Sequence, residues 1–172
     1  MNMVVEITAP PAGGKTVTLK KMIPMWLSGG ARVVVLTSGG DEYLDVCTQA
    51  DGTYTTITEK FTLDHLPDEN LAVYIFDDAG FSDSVGDLPR KILIQFSDFI
   101  SKLARRSSQA CYFVLDDWPF YSCAEDLVYQ LADKIQYSNV SLVFTHQPFP
   151  YQFRDSSKIS PPKYSGHPGR KK

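Results

Sequence analysis

The sequence lacks the features that mark secreted, membrane-spanning and metal-clustered proteins. No apolar run approaches the roughly 18 residues that cross a bilayer, and no basic segment leads into an apolar one near the N-terminus. The three cysteines, Cys47, Cys111 and Cys123, have no metal-ligand spacing. We expect Cys111 and Cys123, which lie in or beside apolar segments, to be buried reduced thiols. These absences predict a cytoplasmic protein.

The chain as a whole also lacks a large excess of either positive or negative charge. A net charge of −3 in 172 residues excludes a polycation that coats nucleic acid. The distribution is uneven, however, with twelve acidic residues and one basic residue, Lys60, between Asp41 and Leu88. Residues 156–172 carry five bases and no acid among several prolines and glycines. The sequence therefore predicts one domain over 1–159 and a flexible basic tail over 160–172, which either solubilises the chain or contacts a phosphate backbone.

Short apolar runs alternate with segments of helical periodicity. The predicted strands are Val4–Thr8, Arg32–Thr37, Leu71–Phe76, Cys111–Leu115 and Val140–Phe144, with at most a short strand at Tyr54–Ile57 between the second and third. The predicted helices run from Thr16 to Gly29, from Leu88 to Arg106 and across Ala124–Ile135. Pro24 is expected to kink or end the first helix. This alternation predicts a three-layer α/β fold with a mainly parallel central sheet.

A phosphate-binding loop is the strongest motif. Residues 9–16 read Ala-Pro-Pro-Ala-Gly-Gly-Lys-Thr, follow a strand and open a helix, which is the context of a Walker A loop. Lys15 is expected to neutralise the phosphates of ATP, and the Thr16 hydroxyl to ligate Mg²⁺. The predicted nucleotide-binding set is Pro11, Ala12, Gly13, Gly14, Lys15, Thr16 and Val17. Ala9 stands where the motif usually has glycine, which removes access to positive φ if the turn needs it.

Two strands end in paired aspartates, Asp77-Asp78 and Asp116-Asp117. In a parallel sheet both pairs are expected at the carboxyl edge beside the phosphate-binding loop. In such a pair, the Walker B pattern, the first carboxylate supports Mg²⁺ and the second orients or deprotonates the attacking water. Composition alone leaves the choice between the pairs open. A third signal is Gln147, which ends the last strand and can hydrogen-bond the γ-phosphate or the attacking water; it comes one helix after Asp116-Asp117 and therefore favours that pair.

This order of motifs resembles the HerA/FtsK superfamily of DNA-translocating P-loop ATPases. The chain is most similar to the small genome-packaging ATPases of membrane-containing, double-jelly-roll viruses, from about Val4 to Ile159. The resemblance implies a RecA/ASCE-like fold and a ring of five or six subunits that hydrolyses ATP to pump double-stranded DNA into a preformed capsid. It also implies a place in the host cytoplasm or the virion, with a capsid-vertex or membrane protein as a further partner.

The resemblance assigns a role to each matching position. Lys15 and Thr16 bind phosphates and Mg²⁺, Asp116 supports the metal, Asp117 takes the catalytic carboxylate position and Gln147 the sensor position. Two departures are evident: Asp117 replaces the usual Glu, and residues 133–137, where relatives carry an arginine donated across the subunit interface, contain none. The candidates for that arginine are Arg105, Arg106 and Arg154.

Two other functions remain open. A nucleotide-gated assembly or scaffold protein with slow or no hydrolysis would explain Asp117 and the missing arginine. A small-molecule kinase fits the length and the phosphate-binding loop, but it would need an Arg-rich lid over the donor phosphates. The only base-rich stretch of this sequence is the terminal tail, so the kinase is the least favoured of the three.

Overall fold

The computed structural model describes residues 3–9, 13–38, 40–58, 60–65, 68–76, 88–106, 108–116 and 121–146. In chain order its elements are β1 (Val4–Thr8), α1 (Lys15–Ser28), β2 (Arg32–Thr37), a 3₁₀ turn (Gly40–Tyr43), α2 (Leu44–Gln49), β3 (Thr53–Ile57), β4 (Leu71–Phe76), α3 (Leu88–Arg106), β5 (Cys111–Asp116), α4 (Tyr121–Ile135) and β6 (Val140–His146). Among the described residues, no helix combines the length and the hydropathy that a membrane span requires.

The strands form one parallel sheet in the order β1-β6-β5-β2-β4-β3. Each described pairing joins parallel neighbours, so the strands deliver their carboxyl ends to the same edge. The predicted α/β class with a parallel central sheet is confirmed. Helices connect most of these strands because the chain can reach a parallel neighbour only through a crossover connection.

Helices cover both faces of the sheet and make it the middle of three layers. Because side chains alternate along a strand, each buried strand supplies residues to both faces. The core beneath α3 and α4 includes Val34, Leu36, Phe96, Phe113, Leu131 and Leu142. The core beneath α1 and α2 includes Leu19, Ile23, Val33, Val35, Val114 and Val143. The continuous apolar run of β2 is thus buried on both faces, as its sequence predicts.

Pro24 does not end α1, which continues to Ser28. A proline inside a helix costs roughly 3 kcal/mol because a backbone hydrogen bond is lost. Packing on both sides of Pro24 offsets that loss: Ile23 is fully buried, and the Trp26 ring stacks on Tyr112 with centroids 4.2 Å apart. Of the two outcomes predicted for Pro24, a kink or an end, the structure excludes the end; the predicted stop at Gly29 is confirmed, because Gly29 is the C-cap of α1.

The 3₁₀ turn and α2 were not predicted. Their sequence buries only Tyr43, Val46 and Cys47, which is too few apolar positions to establish a helical period. The other seven of the ten residues are exposed, among them Asp41 and Asp45, which gives the segment the composition of a loop. Tertiary packing against β4 and α1, rather than local pattern, supports this short helix.

Candidate functional site

Strand order brings the end of β5 close to the phosphate-binding loop and keeps the end of β4 away from it. β1 leads into the loop, and only β6 separates it from β5 in the sheet. Neighbouring strands lie about 4.8 Å apart, so the ends of β1 and β5 are separated by roughly 10 Å and those of β1 and β4 by roughly 19 Å. Both strands end at the same edge of the sheet, but β5 ends closer to the loop than β4; the pair Asp77-Asp78 itself lies outside the described residues.

Gly14 begins the helix that carries the predicted phosphate ligands. It caps α1 with a φ of 79°, a left-handed conformation that glycine adopts without strain. Lys15 is 4% exposed, and its Nζ donates to the carbonyl oxygen of Ala9 at 3.3 Å. Asp51 and Tyr137 are the described non-glycine residues with positive φ, so Ala9 does not need the freedom of the usual glycine. The substitution at Ala9 is thus compatible with the loop.

Asp116 is fully buried and accepts hydrogen bonds from three hydroxyl groups. Thr16 Oγ1 donates to Oδ2 at 2.9 Å, and the Tyr43 hydroxyl donates to the same oxygen. Thr145 Oγ1 donates to Oδ1 at 2.6 Å. These donors come from α1, the 3₁₀ turn and β6, and together they satisfy a carboxylate that burial would otherwise penalise.

The two-residue period of β5 explains why Asp116 faces α1. Phe113 and Leu115 point into the core under α3 and α4, whereas Val114 points into the core under α1. Asp116 has the parity of Val114 and therefore lies on the α1 side, at the carboxyl end of its strand. On β6, Thr145 has the parity of Val143, which also packs on the α1 side. Strand alternation thus aims both side chains at the first turn of α1.

The 3₁₀ turn that supplies Tyr43 is fixed at both ends. The hydroxyl of Tyr54 on β3 donates to the carbonyl oxygen of Gly40. Beyond the turn, Asp45 on α2 forms a 2.8 Å ion pair with Lys20 on α1. Hydrogen bonding from Lys20 lowers the pKa of Asp45 below its usual value. The turn is therefore tied both to the sheet and to the helix that begins at Lys15.

The structure brings together part of the predicted site. Lys15, Thr16 and Asp116 converge, Gly13 and Gly14 precede them, and Val17 is 56% exposed on the first turn of α1. The remaining predictions lie outside the described residues: Pro11, Ala12, Asp117, Gln147, Arg154 and the alternative pair Asp77-Asp78.

Arg105 lies away from the site of its own chain. It is exposed near the end of α3, which runs from the carboxyl end of β4 back to the start of β5. This places it near the amino edge of the sheet, roughly 20 Å from Asp116 by the length of a six-residue strand. Arg106 ends the same helix, and its side chain is outside the described part of the structure. Arg105 is therefore too far from Asp116 to contact a ligand beside it within the same chain.

Sequence reasoning missed two of the three hydroxyl donors. Neither Thr145 nor Tyr43 is among the residues predicted for the site, whereas Thr16 is. The sequence does carry a signal for Thr145. It lies two residues after Val143, so the two side chains share one face of β6, the face on which Asp116 lies in β5. No local pattern could identify Tyr43, since its position depends on how the 3₁₀ turn packs.

The donor set fits Mg²⁺. Thr16 and Asp116 present hydroxyl and carboxylate oxygens, which hard divalent cations prefer, within hydrogen-bond distance of each other. Magnesium is commonly held by one or two protein groups together with substrate phosphates and water. No group of three or more His, Cys, Asp or Glu side chains that could hold a metal occurs in the described part of the chain.

No protein-family model matches the chain, and no curated protein matches it significantly.

Proposed function

We propose that this protein is a Mg²⁺-dependent ATPase that translocates double-stranded DNA and packages a viral genome into a preformed capsid. The observation that carries the ATPase part is the hydrogen bond between Thr16 and the buried Asp116, beside the buried Lys15. It joins the first turn of the helix after a glycine-rich loop to the carboxyl end of β5, two strands from β1 in the sheet. That edge is where ligands bind in open parallel α/β sheets.

Each residue of the proposed site has a separate role in phosphoryl transfer. Lys15 balances negative charge on the β- and γ-phosphates, and the first turn of α1 presents backbone N–H groups to them. Thr16 and Asp116 hold the magnesium ion, which neutralises charge on the phosphate oxygens when bound. Asp117 orients and deprotonates the attacking water, and Gln147 hydrogen-bonds that water or the γ-phosphate.

The DNA-translocating part of the proposal is supported by the order of motifs along the chain and by the basic tail. Five bases and no acid in residues 156–172 suit contact with a phosphate backbone. The proposed assembly is a ring of five or six copies, acting in the host cytoplasm or at the virion with a capsid-vertex or membrane protein. In such a ring Arg105, Arg106 or Arg154 would act on the nucleotide of an adjacent subunit.

Steady-state ATP hydrolysis with and without double-stranded DNA tests this function. We expect DNA-stimulated turnover that falls at least about 100-fold in Lys15→Ala and in Asp117→Asn. Lys21→Ala is the matched control, because Lys21 is exposed on the same helix. Turnover that does not change across a DNA titration would reject the translocase.

A nucleotide-gated assembly protein is the second candidate. It is favoured by the short Asp117 side chain and by the absence of an arginine from residues 133–137. This alternative predicts tight ATP binding with negligible turnover, even when DNA is present and the chain is oligomeric. The same assay therefore distinguishes the two functions, provided that nucleotide binding is measured alongside hydrolysis.

A further inference from the structure

We infer that Tyr43 is a positioning residue for magnesium: its buried hydroxyl holds the Asp116 carboxylate in the orientation that supports the ion. The inference deepens the proposed nucleotide site and depends on it. Tyr43 is no part of the phosphate-binding loop or of the aspartate pair. It reaches the site from the turn after β2, a different element from those that carry the motifs.

The contacts of Asp116 define what the Tyr43 hydroxyl does. Both residues are fully buried, so water does not substitute for a lost contact in this arrangement. Thr16 and Tyr43 share Oδ2, while Thr145 donates to Oδ1. The two carboxylate oxygens together offer about four acceptor positions, so three hydroxyl donors leave roughly one for a further ligand.

The three donors are not equivalent once magnesium is present. Thr16 lies on the first turn of α1, and its hydroxyl is the group that the metal would take. The hydroxyls of Tyr43 and Thr145 then remain, one on each carboxylate oxygen, and keep Asp116 from rotating. Groups that orient a metal-binding carboxylate typically change metal affinity or activity 10–100-fold when they are removed.

The turn that carries Tyr43 is itself held in place by contacts with other elements of the fold. Its turn is held by the Tyr54 hydroxyl at Gly40 and followed by the Lys20–Asp45 ion pair. A side chain placed on a turn fastened at both ends loses little further conformational freedom when it binds its partner. Tyr43 therefore has a fixed support, as a positioning residue requires.

The test is a Mg²⁺ titration of the binding of a fluorescent ATP analogue. Tyr43→Phe keeps the buried ring and deletes the hydroxyl, and Thr145→Val removes the other remaining donor with little change of shape. Tyr112→Phe is the matched control, because Tyr112 lies on the same strand as Asp116 and stacks on Trp26. Circular dichroism establishes that each variant is folded at the assay temperature.

We expect Tyr43→Phe to raise the half-saturating Mg²⁺ concentration about 10-fold or more, with nucleotide affinity in the absence of Mg²⁺ unchanged. Thr145→Val should shift the midpoint in the same direction, and Tyr112→Phe should leave it at the wild-type value. A wild-type midpoint in Tyr43→Phe would overturn the inference, and so would an equal loss of affinity with and without Mg²⁺. If the wild-type protein itself binds the analogue with no Mg²⁺ dependence, the proposed nucleotide site fails and this inference fails with it.

Discussion

Thr16 and Asp116 are separated by 100 positions in the sequence, and a hydrogen bond of 2.9 Å joins their side chains. The bond connects the start of α1 to the end of β5 across β6, the strand between β1 and β5. It distinguishes the two aspartate pairs in a way that composition cannot, because the end of β4 lies two strands farther from the loop. Substitution of Asp116 is thus the direct test of the proposed metal site.

Replacement of Asp116 by Asn should weaken Mg²⁺-dependent nucleotide binding. The amide carries no charge to attract the ion, and we expect the apparent Mg²⁺ affinity to fall by about 10-fold or more. Binding of Mn²⁺ in the presence of ATP, followed by electron paramagnetic resonance, measures the change. Asp133→Asn, on the exposed side of α4, is the control. Loss of metal binding in Asp77→Asn instead would move the site to the other aspartate pair.

Truncation of Phe96 to Ala should destabilise the fold strongly. Phe96 is fully buried, and its ring lies 4.9 Å from that of Tyr74 and 6.0 Å from that of Phe113. The cavity should lower the free energy of unfolding by about 3–5 kcal/mol, measured by urea denaturation. Met25→Ala, at a side chain that is 70% exposed, should change it by less than about 0.5 kcal/mol. Similar losses in the two variants would contradict the packing beneath α3.

Cys47 and Cys111 should resist thiol reagents in the native protein. Each is 2% exposed; burial raises the pKa of Cys47 above its usual value and that of Cys111 to about 12. Near pH 8 the reactive thiolate of Cys111 is therefore a fraction of about 10⁻⁴. In a Cys123→Ser variant, labelling with an aromatic disulfide should be negligible until denaturant exposes both thiols. Rapid labelling of the native variant would show that one of the two sites opens.

Removal of Gly166–Lys172 should weaken DNA binding and flatten its dependence on salt. The deletion removes three bases, and each phosphate contact contributes about 0.9 to the slope of log affinity against log salt. The slope should therefore fall by at most about 2.7. A full-length variant with Arg170, Lys171 and Lys172 changed to Gln separates charge from length. An unaltered slope in both variants would leave the tail a solubilising role.

The sequence predicts most of the sheet but less of the site. β-branched apolar runs such as Val33–Leu36 identify strands that are buried on both faces, and Phe96 lies on a helical stripe that the structure buries. Local pattern also places Lys15, Thr16 and Asp116 at the ends of elements. It cannot supply strand order, which brings the end of β5 closer to the loop than the end of β4. Tyr43 reaches Asp116 through a turn with no periodic signal, so its contact depends wholly on tertiary packing.

The pairing of β1 with β6 also has a consequence for how the chain folds. Val4 lies opposite Leu142, so the strand that leads into the phosphate-binding loop joins the sheet through a partner at the other end of the described chain. Contacts of such sequence separation are slow to form, because a long loop must close before they contribute stability. During synthesis, β1 must wait for β6 to leave the ribosome. The site that we propose for the nucleotide is thus completed only after β6 has been made.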